Sequence, residues 1–238
     1  MSWVRPFIAA SLLAAGSSLA AAASAAIVVA SSGPSAAQFP AGKKLDDASR
    51  ITLQKGDSVT VLDQRGTKVL RGPGRLAVGQ PGKALPNTAF AVLTRRDAAS
   101  RARTGAVRGE TGTLSPNLWL VDLAKPGTKC IIAADAVSLW RADAKPAARY
   151  RIASASGATG AVSFAADAAI APWDTVRTPV SDGASYTLAA ESGASLGSYK
   201  FAVITNPPDK PEELALALIG KGCTAQLELL ARTLATAR

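Results

Sequence analysis

Two cysteines, Cys130 and Cys223, and the absence of any histidine decide most of the chemistry open to this chain. Without imidazole there is no Ser-His-Asp or Cys-His triad, no histidine-ligated zinc and no imidazole general base. Two thiols cannot build a four-cysteine metal site, and once bonded to each other they leave no thiolate nucleophile. Carboxylate pairs remain as the acid–base option, as in glycoside hydrolysis. Asp135 with Asp143, or Asp167 with Asp174, are the pairs on offer, but each stands among alanines and turn residues, where aspartate caps loops. No S-x-x-K, G-x-G-x-x-G or G-x-x-x-x-G-K-[ST] pattern occurs, so serine–lysine catalysis and nucleotide phosphate cradles have no support. The expectation is a protein that is not an enzyme and has neither metal nor cofactor.

Binding chemistry is better represented. Arg95, Arg96, Arg101, Arg103 and Arg108 fall within 94–116, "TRRDAASRARTGAVRGETGTLSP", among Ala, Ser, Thr and Gly and almost no bulky apolar residue. Such a stretch buries too little to fix itself and reads as a flexible linker, or as a basic tether to an anionic surface. Aromatic rings supply contact area at low entropic cost. Trp119 and Trp140 each adjoin a leucine in a strand-like run, and strand alternation puts one member of each pair away from the core. The tryptophans are expected inside. Trp173, in "APWDT" after Pro172, is the expected exposed aromatic contact.

The elements that position these residues begin after a secretory signal over 1–25. Arg5 supplies its positive end, "FIAASLLAAGSSLAAAA" its apolar stretch, and Ala23-Ser24-Ala25 a small-residue cleavage site. No later segment has about 18 uninterrupted apolar residues, so the mature chain is expected to be soluble in the periplasm or outside the cell. There the even cysteine count predicts one disulfide, Cys130–Cys223. Closing a loop of that length stabilises by about 4–5 kcal/mol in the chain-entropy account. The formal charge is +10, falling to +9 without Arg5, which favours anionic glycan or lipid surfaces. Export argues against nucleic acid.

Residues 26–93 read as a small all-β domain. "AIVVASS" suits a buried strand; Ile51 and Leu53, then Val59 and Val61, alternate with polar residues, and glycine marks each break. From 117 to 206, "LWLVDL", "TKCIIA", "AVSLW", "ARYRIAS", "GAVSFAA", "SYTLAA" and "YKFAVIT" are short and β-rich with frequent turns, the pattern of an antiparallel β-sandwich. The tail, 207–238, reads as a helical hairpin packed on that sandwich. Pro211 with Glu212 and Glu213 starts its first helix. Cys223, Leu227, Leu230 and Leu234 form one stripe of its second. The fold class is thus mainly β: a small N-terminal all-β domain, a basic linker, an antiparallel sandwich and a helical hairpin.

The stretch "GKKLDDASRITLQKGDSVTVLDQRGTKVLRGPG" resembles FecR-type periplasmic domains, which repeat a hydrophobic strand, "G-D/S", a second strand, "D-x-x-G-T" and a third. Gly42, Leu45, Ile51, Leu53, Gly56, Asp57, Val59, Val61, Leu62, Asp63, Gly66 and Thr67 carry the match, over about a fifth of the chain. The resemblance implies a signal-relaying or accessory β module without catalysis. Relaying members carry an inner-membrane helix, which this chain does not show. The function expected is therefore a non-catalytic envelope adaptor acting through protein contacts. The alternative is a binding module for anionic glycan or lipid that uses the arginine stretch and Trp173.

Overall fold

The structure is a computed structural model that describes residues 25–63, 66–79, 87–96 and 114–236. The expected signal segment up to residue 24 and Arg101, Arg103 and Arg108 lie outside these residues, as does Gln64-Arg65 of the second expected turn; Ala25, the last residue of the expected signal, is described.

Strands β1 (Ala25–Ser32), β2 (Lys44–Asp46), β4 (Ser58–Asp63) and β5 (Gly66–Arg71) form an antiparallel sheet in the order β2-β1-β4-β5. β3 (Arg50–Leu53) pairs instead with β6 (Gly74–Ala77) in a two-stranded ribbon that lies against it. Ile51, Leu53, Val59, Val61, Leu70 and Val78 fill the space between. The other face of the sheet is covered as well, since Val29 and Leu62 enter a different core. Two covered faces explain why β1 is a continuous apolar run and not an alternating one.

Asp57 fixes the entry to this sheet. Its Oδ1 accepts the Ser35 N–H at 2.9 Å and its Oδ2 accepts the Gln54 N–H at 2.5 Å. The Ser35 hydroxyl and then the Ser35 N–H hold its carboxyl below the usual carboxylate range. Gly33, at φ +99°, leaves room for that carboxylate, because a Cβ there would lie 2.6 Å from Asp57 Oδ1.

The N-terminal unit is not all-β. Helix α1 (Asn87–Thr94) ends the 26–93 range, and Leu93 buries its side chain in the core that Val29 and Leu62 enter.

The second unit has two facing sheets. β8 (Gly127–Ile131), β10 (Ala148–Ser154), β11 (Thr159–Phe164), β13 (Ser185–Ala190) and β14 (Ser195–Val203) form one, in the order β11-β10-β13-β14-β8. β7 (Val121–Asp122), β9 (Ser138–Trp140) and β12 (Ile170–Pro172) form the other. Ile131, Ile152, Leu188, Tyr199 and Phe201 of the larger sheet meet Val121, Leu139 and Ala171 of the smaller. The sandwich is not wholly antiparallel, because β14 runs parallel to β8 and β7 parallel to β9. β8 crosses to the edge of the large sheet before the rest of that sheet exists in sequence, and the last strand returns beside it in the same direction.

Helices α2 (Pro211–Gly220) and α3 (Thr224–Thr236) complete the chain. Pro211 opens α2, with Glu212 and Glu213 in its first turn. Leu227, Leu230 and Leu234 are buried along one side of α3. The pair packs on the large sheet of the sandwich, and also on β1, β4 and β5 of the N-terminal sheet. Val29, Leu62, Leu93, Cys130, Ala202 and the helix leucines therefore share one core. The hairpin is a wedge between two β units, not a lid on one.

Candidate functional site at the helix α1 junction

The cysteines meet as a disulfide, Cys130 to Cys223, with Cα atoms 5.8 Å apart. Strand β8 is an edge strand there, so its outward N–H and C=O groups need partners. Gln226 supplies them. Its Oε1 accepts the Cys130 N–H at 2.6 Å, and its Nε2 donates to Cys130 O and to Leu118 O, each at 2.7 Å. One carboxamide thus takes the place of a neighbouring strand.

A second fixed point lies at the C-terminus of α1, where the last carbonyls of a helix lack intrahelical donors. Leu118 N–H donates to Leu93 O at 2.9 Å, Trp119 Nε1 to Thr94 O at 2.9 Å, and Asn117 Nδ2 to Arg95 O at 2.8 Å. Three successive carbonyls are satisfied by three successive residues. Asn117 Oδ1 also accepts the Trp119 N–H at 2.9 Å, which sets the turn that presents them. The stretch 94–116 consequently begins and ends at one place. It does not hold two units apart, because 93–95 is bonded to 117–119.

Beside this junction lies a cleft of about 290 Å³ lined by Arg96, Trp119, Ile131, Ile132, Ala133, Ala136 and Thr205. Arg96 is exposed, and the walls are otherwise largely apolar. Of the five arginines singled out in sequence, Arg96 lines the cleft and Arg95 adjoins it; Arg101, Arg103 and Arg108 are outside the described residues.

Trp173 is not exposed. Its ring is 4 % accessible and stands edge-on to Tyr186 and Phe201, with centroids 5.0 and 5.4 Å away. Its Nε1 donates to Thr178 O at 2.9 Å. The turn after Pro172 folds the ring back over the sandwich, so this residue drops out of any binding surface. Trp119 and Trp140 are buried, but so are Leu118, Leu120 and Leu139. Alternation misled at Leu118–Leu120 because these residues form turns between two cores: Leu118 and Trp119 enter the shared core, while Leu120 packs on Trp140.

The four candidate carboxylates are spread over loops. Asp143 Oδ1 accepts the Lys145 N–H, and Asp174 Oδ1 accepts those of Val176 and Arg177. Among the described residues there is no cluster of three or more metal-ligating side chains.

Two buried cations escaped the sequence reading. Arg141 donates to Ala168 O, Ala144 O and Ala165 O, and lies over the Phe164 ring at 4.7 Å. It holds two loops by their backbones. Lys129 points between the sheets from β8, at 2 % exposure, into a cavity of about 40 Å³ shared with Ser115, Asp122, Lys125 and Gln226. Burial lowers its pKa to about 8, with Asp122 opposing the shift and Lys125 adding to it. The signal for Lys129 was present in "TKCIIA", since alternation sets it on the same face as Ile131.

No helix among the described residues is long and apolar enough to cross a membrane. No family model, no curated protein and no solved structure matches the chain.

Proposed function

We propose that this protein is a non-catalytic, exported accessory factor of the cell envelope that works by binding a protein partner. The observation that carries the reading is the cleft beside Arg96. It offers apolar walls next to a single exposed guanidinium, which suits an apolar partner side chain flanked by a carboxylate. Its walls come from Arg96 just past α1, Trp119, the end of β8 with the loop that follows, and Thr205 just past β14. The Asn117, Leu118 and Trp119 hydrogen bonds tie the first two, and the Ile204 N–H to Ile131 O bond ties the last two. A site so braced is preformed and loses little entropy on binding. The disulfide fits an oxidising compartment. The FecR-like pattern in 42–67 supports an accessory β module in the same setting.

A second reading has the arginines from Arg95 to Arg108 bind anionic glycan or lipid, favoured by the formal charge of +10. Crosslinked capture from envelope extracts, at low salt and at about 0.5 M salt, separates the two, since screening at that ionic strength removes exposed charge contacts beyond about 5 Å. Expected is a defined partner that survives high salt and is lost with Arg96→Glu and with Ala133→Arg. A partner that survives both substitutions overturns the assignment to this cleft. Loss of all capture at high salt favours the second reading.

A further inference from the structure

The inner face of the five-stranded sheet is core, and its outer face is open along β11, β10 and β13. On that outer face Arg149 and Arg151 project from β10 and Lys200 from β14, all exposed. Most of their cross-strand neighbours are small: Ser163 beside Arg149, Ala161 and Ala189 beside Arg151, and Ser185 and Thr128 beside Lys200. The exception is Glu191, whose N–H donates to Arg149 O at 3.1 Å on the β13 side. No aliphatic or aromatic side chain stands up from these positions. Among the described residues none of the three cations makes an ion pair. Arg151 Nη2 donates to the backbone oxygen of Glu191 at 3.3 Å. The Glu191 side chain, exposed just past the end of β13, also makes no ion pair among the described residues.

We propose that this sheet face is a binding surface for an acidic polysaccharide. Strand geometry sets Arg149 and Arg151 about 7 Å apart and places Lys200 two strands away, so the three charges mark a stripe about 20 Å long. A single phosphate-sized ion cannot span it, whereas an extended chain bearing repeated carboxylates or sulfates can. The flat floor of serine, threonine and alanine lets a sugar backbone lie close and offers hydroxyls to it. A membrane is the poorer fit, since interfacial binding gains from apolar and aromatic side chains inserted among the acyl chains, and the face has none. Nucleic acid is disfavoured by the disulfide, which belongs to an oxidising compartment. This surface is separate from the Arg96 cleft, and the proposal stands or falls independently of it.

The test uses the full chain on immobilised polygalacturonate and on heparin, eluted with a salt gradient, beside a sedimentation assay with vesicles containing about a third anionic lipid. Three variants each remove three charges: Arg149→Gln/Arg151→Gln/Lys200→Gln on the face, Lys44→Gln/Lys55→Gln/Arg75→Gln on the N-terminal unit, and Arg101→Gln/Arg103→Gln/Arg108→Gln in the arginine stretch. A single Thr187→Glu, at an exposed mid-face position, adds an opposing charge without removing any arginine. Expected is at least tenfold weaker glycan binding at low salt for the face triple and a clear loss for Thr187→Glu, with smaller losses for both controls. Equal losses in all three triples would overturn the proposal, because net charge alone would then explain retention. Vesicle binding that matches glycan binding and falls with the same face variants would overturn it too, in favour of a lipid surface.

Discussion

Gln226 and Cys130 are joined twice over, once through both halves of the Gln226 carboxamide and once through the disulfide that Cys223 makes three residues earlier. The first helical turn of α3 thereby acts as the missing neighbour of edge strand β8. Gln226→Ala removes three hydrogen bonds and leaves buried backbone groups of Cys130 and Leu118 without partners. The expected loss is about 2–4 kcal/mol in urea unfolding, above the value for a single hydrogen bond. Gln226→Glu should be worse at pH 7 than at pH 4, since a carboxylate would face two carbonyl oxygens. A change below about 0.5 kcal/mol for the alanine variant would show that the edge does not need this side chain.

Cys223→Ser should lower the stability of the oxidised protein by about 2–5 kcal/mol. The parent treated with reductant should then approach the variant. Thermal melts of both proteins with and without reductant provide the check.

Trp173→Ala should cost about 3–5 kcal/mol, because it empties a site closed by Tyr186 and Phe201. Trp173→Phe keeps most of that packing but leaves Thr178 O without its indole donor, and should cost about 1–3 kcal/mol. Acrylamide quenching offers an independent reading: the parent should lose less fluorescence than a protein with an exposed indole.

Lys129 makes stability depend on alkaline pH in a defined direction. Its folded-state pKa of about 8 lies below the ordinary 10.5, so between these values the unfolded chain binds more protons than the folded one. Stability should therefore rise as pH goes from about 8 towards 10. Tyr199, with its hydroxyl bonded to Leu123 O and its pKa raised by burial to about 12, acts in the opposite sense once pH passes about 10. Lys129→Met should be more stable than the parent at pH 7 by about 1–3 kcal/mol and should flatten the rise. Chemical denaturation at pH 7, 8, 9 and 10 decides it; a parallel rise in the methionine variant would assign the effect to another group.

Local pattern revealed the strands of this chain far better than its long-range joins. β3 and β4 were legible because Ile51 and Leu53, then Val59 and Val61, alternate with polar residues between turn glycines, and these four share the core between the sheet and its ribbon. α2 was legible from Pro211, Glu212 and Glu213. α1 was not: "NTAFAVLT" is short, mixes β-branched with apolar residues, and draws its stability from carbonyl caps supplied by Asn117, Leu118 and Trp119. Gln226 could not have been recognised either. Its partners lie 96 and 108 residues away, and nothing in "CTAQLELLA" sets it apart from an ordinary polar helix residue. The parallel pairing of β8 with β14 and the wedge position of the hairpin share this origin, being fixed by contacts between distant parts of the chain. Trp173 erred for a local reason: proline marked the turn correctly, but a turn in the backbone does not say which way its side chains lie.

The core shared by Val29, Leu62 and Leu234 links the first strand of the described chain to its last helix, some 200 residues apart. A chain made from its N-terminus must therefore form β1 and β4 long before the residues that cover their second face exist. Until α3 arrives, that face is bare valine and leucine on a β-sheet, a surface prone to pair with other chains. The high sequence separation of these contacts also places the fold among slow topologies. Removing the last two helices would then do more than shorten the protein: it would leave the N-terminal sheet permanently half-built, with aggregation as its default fate.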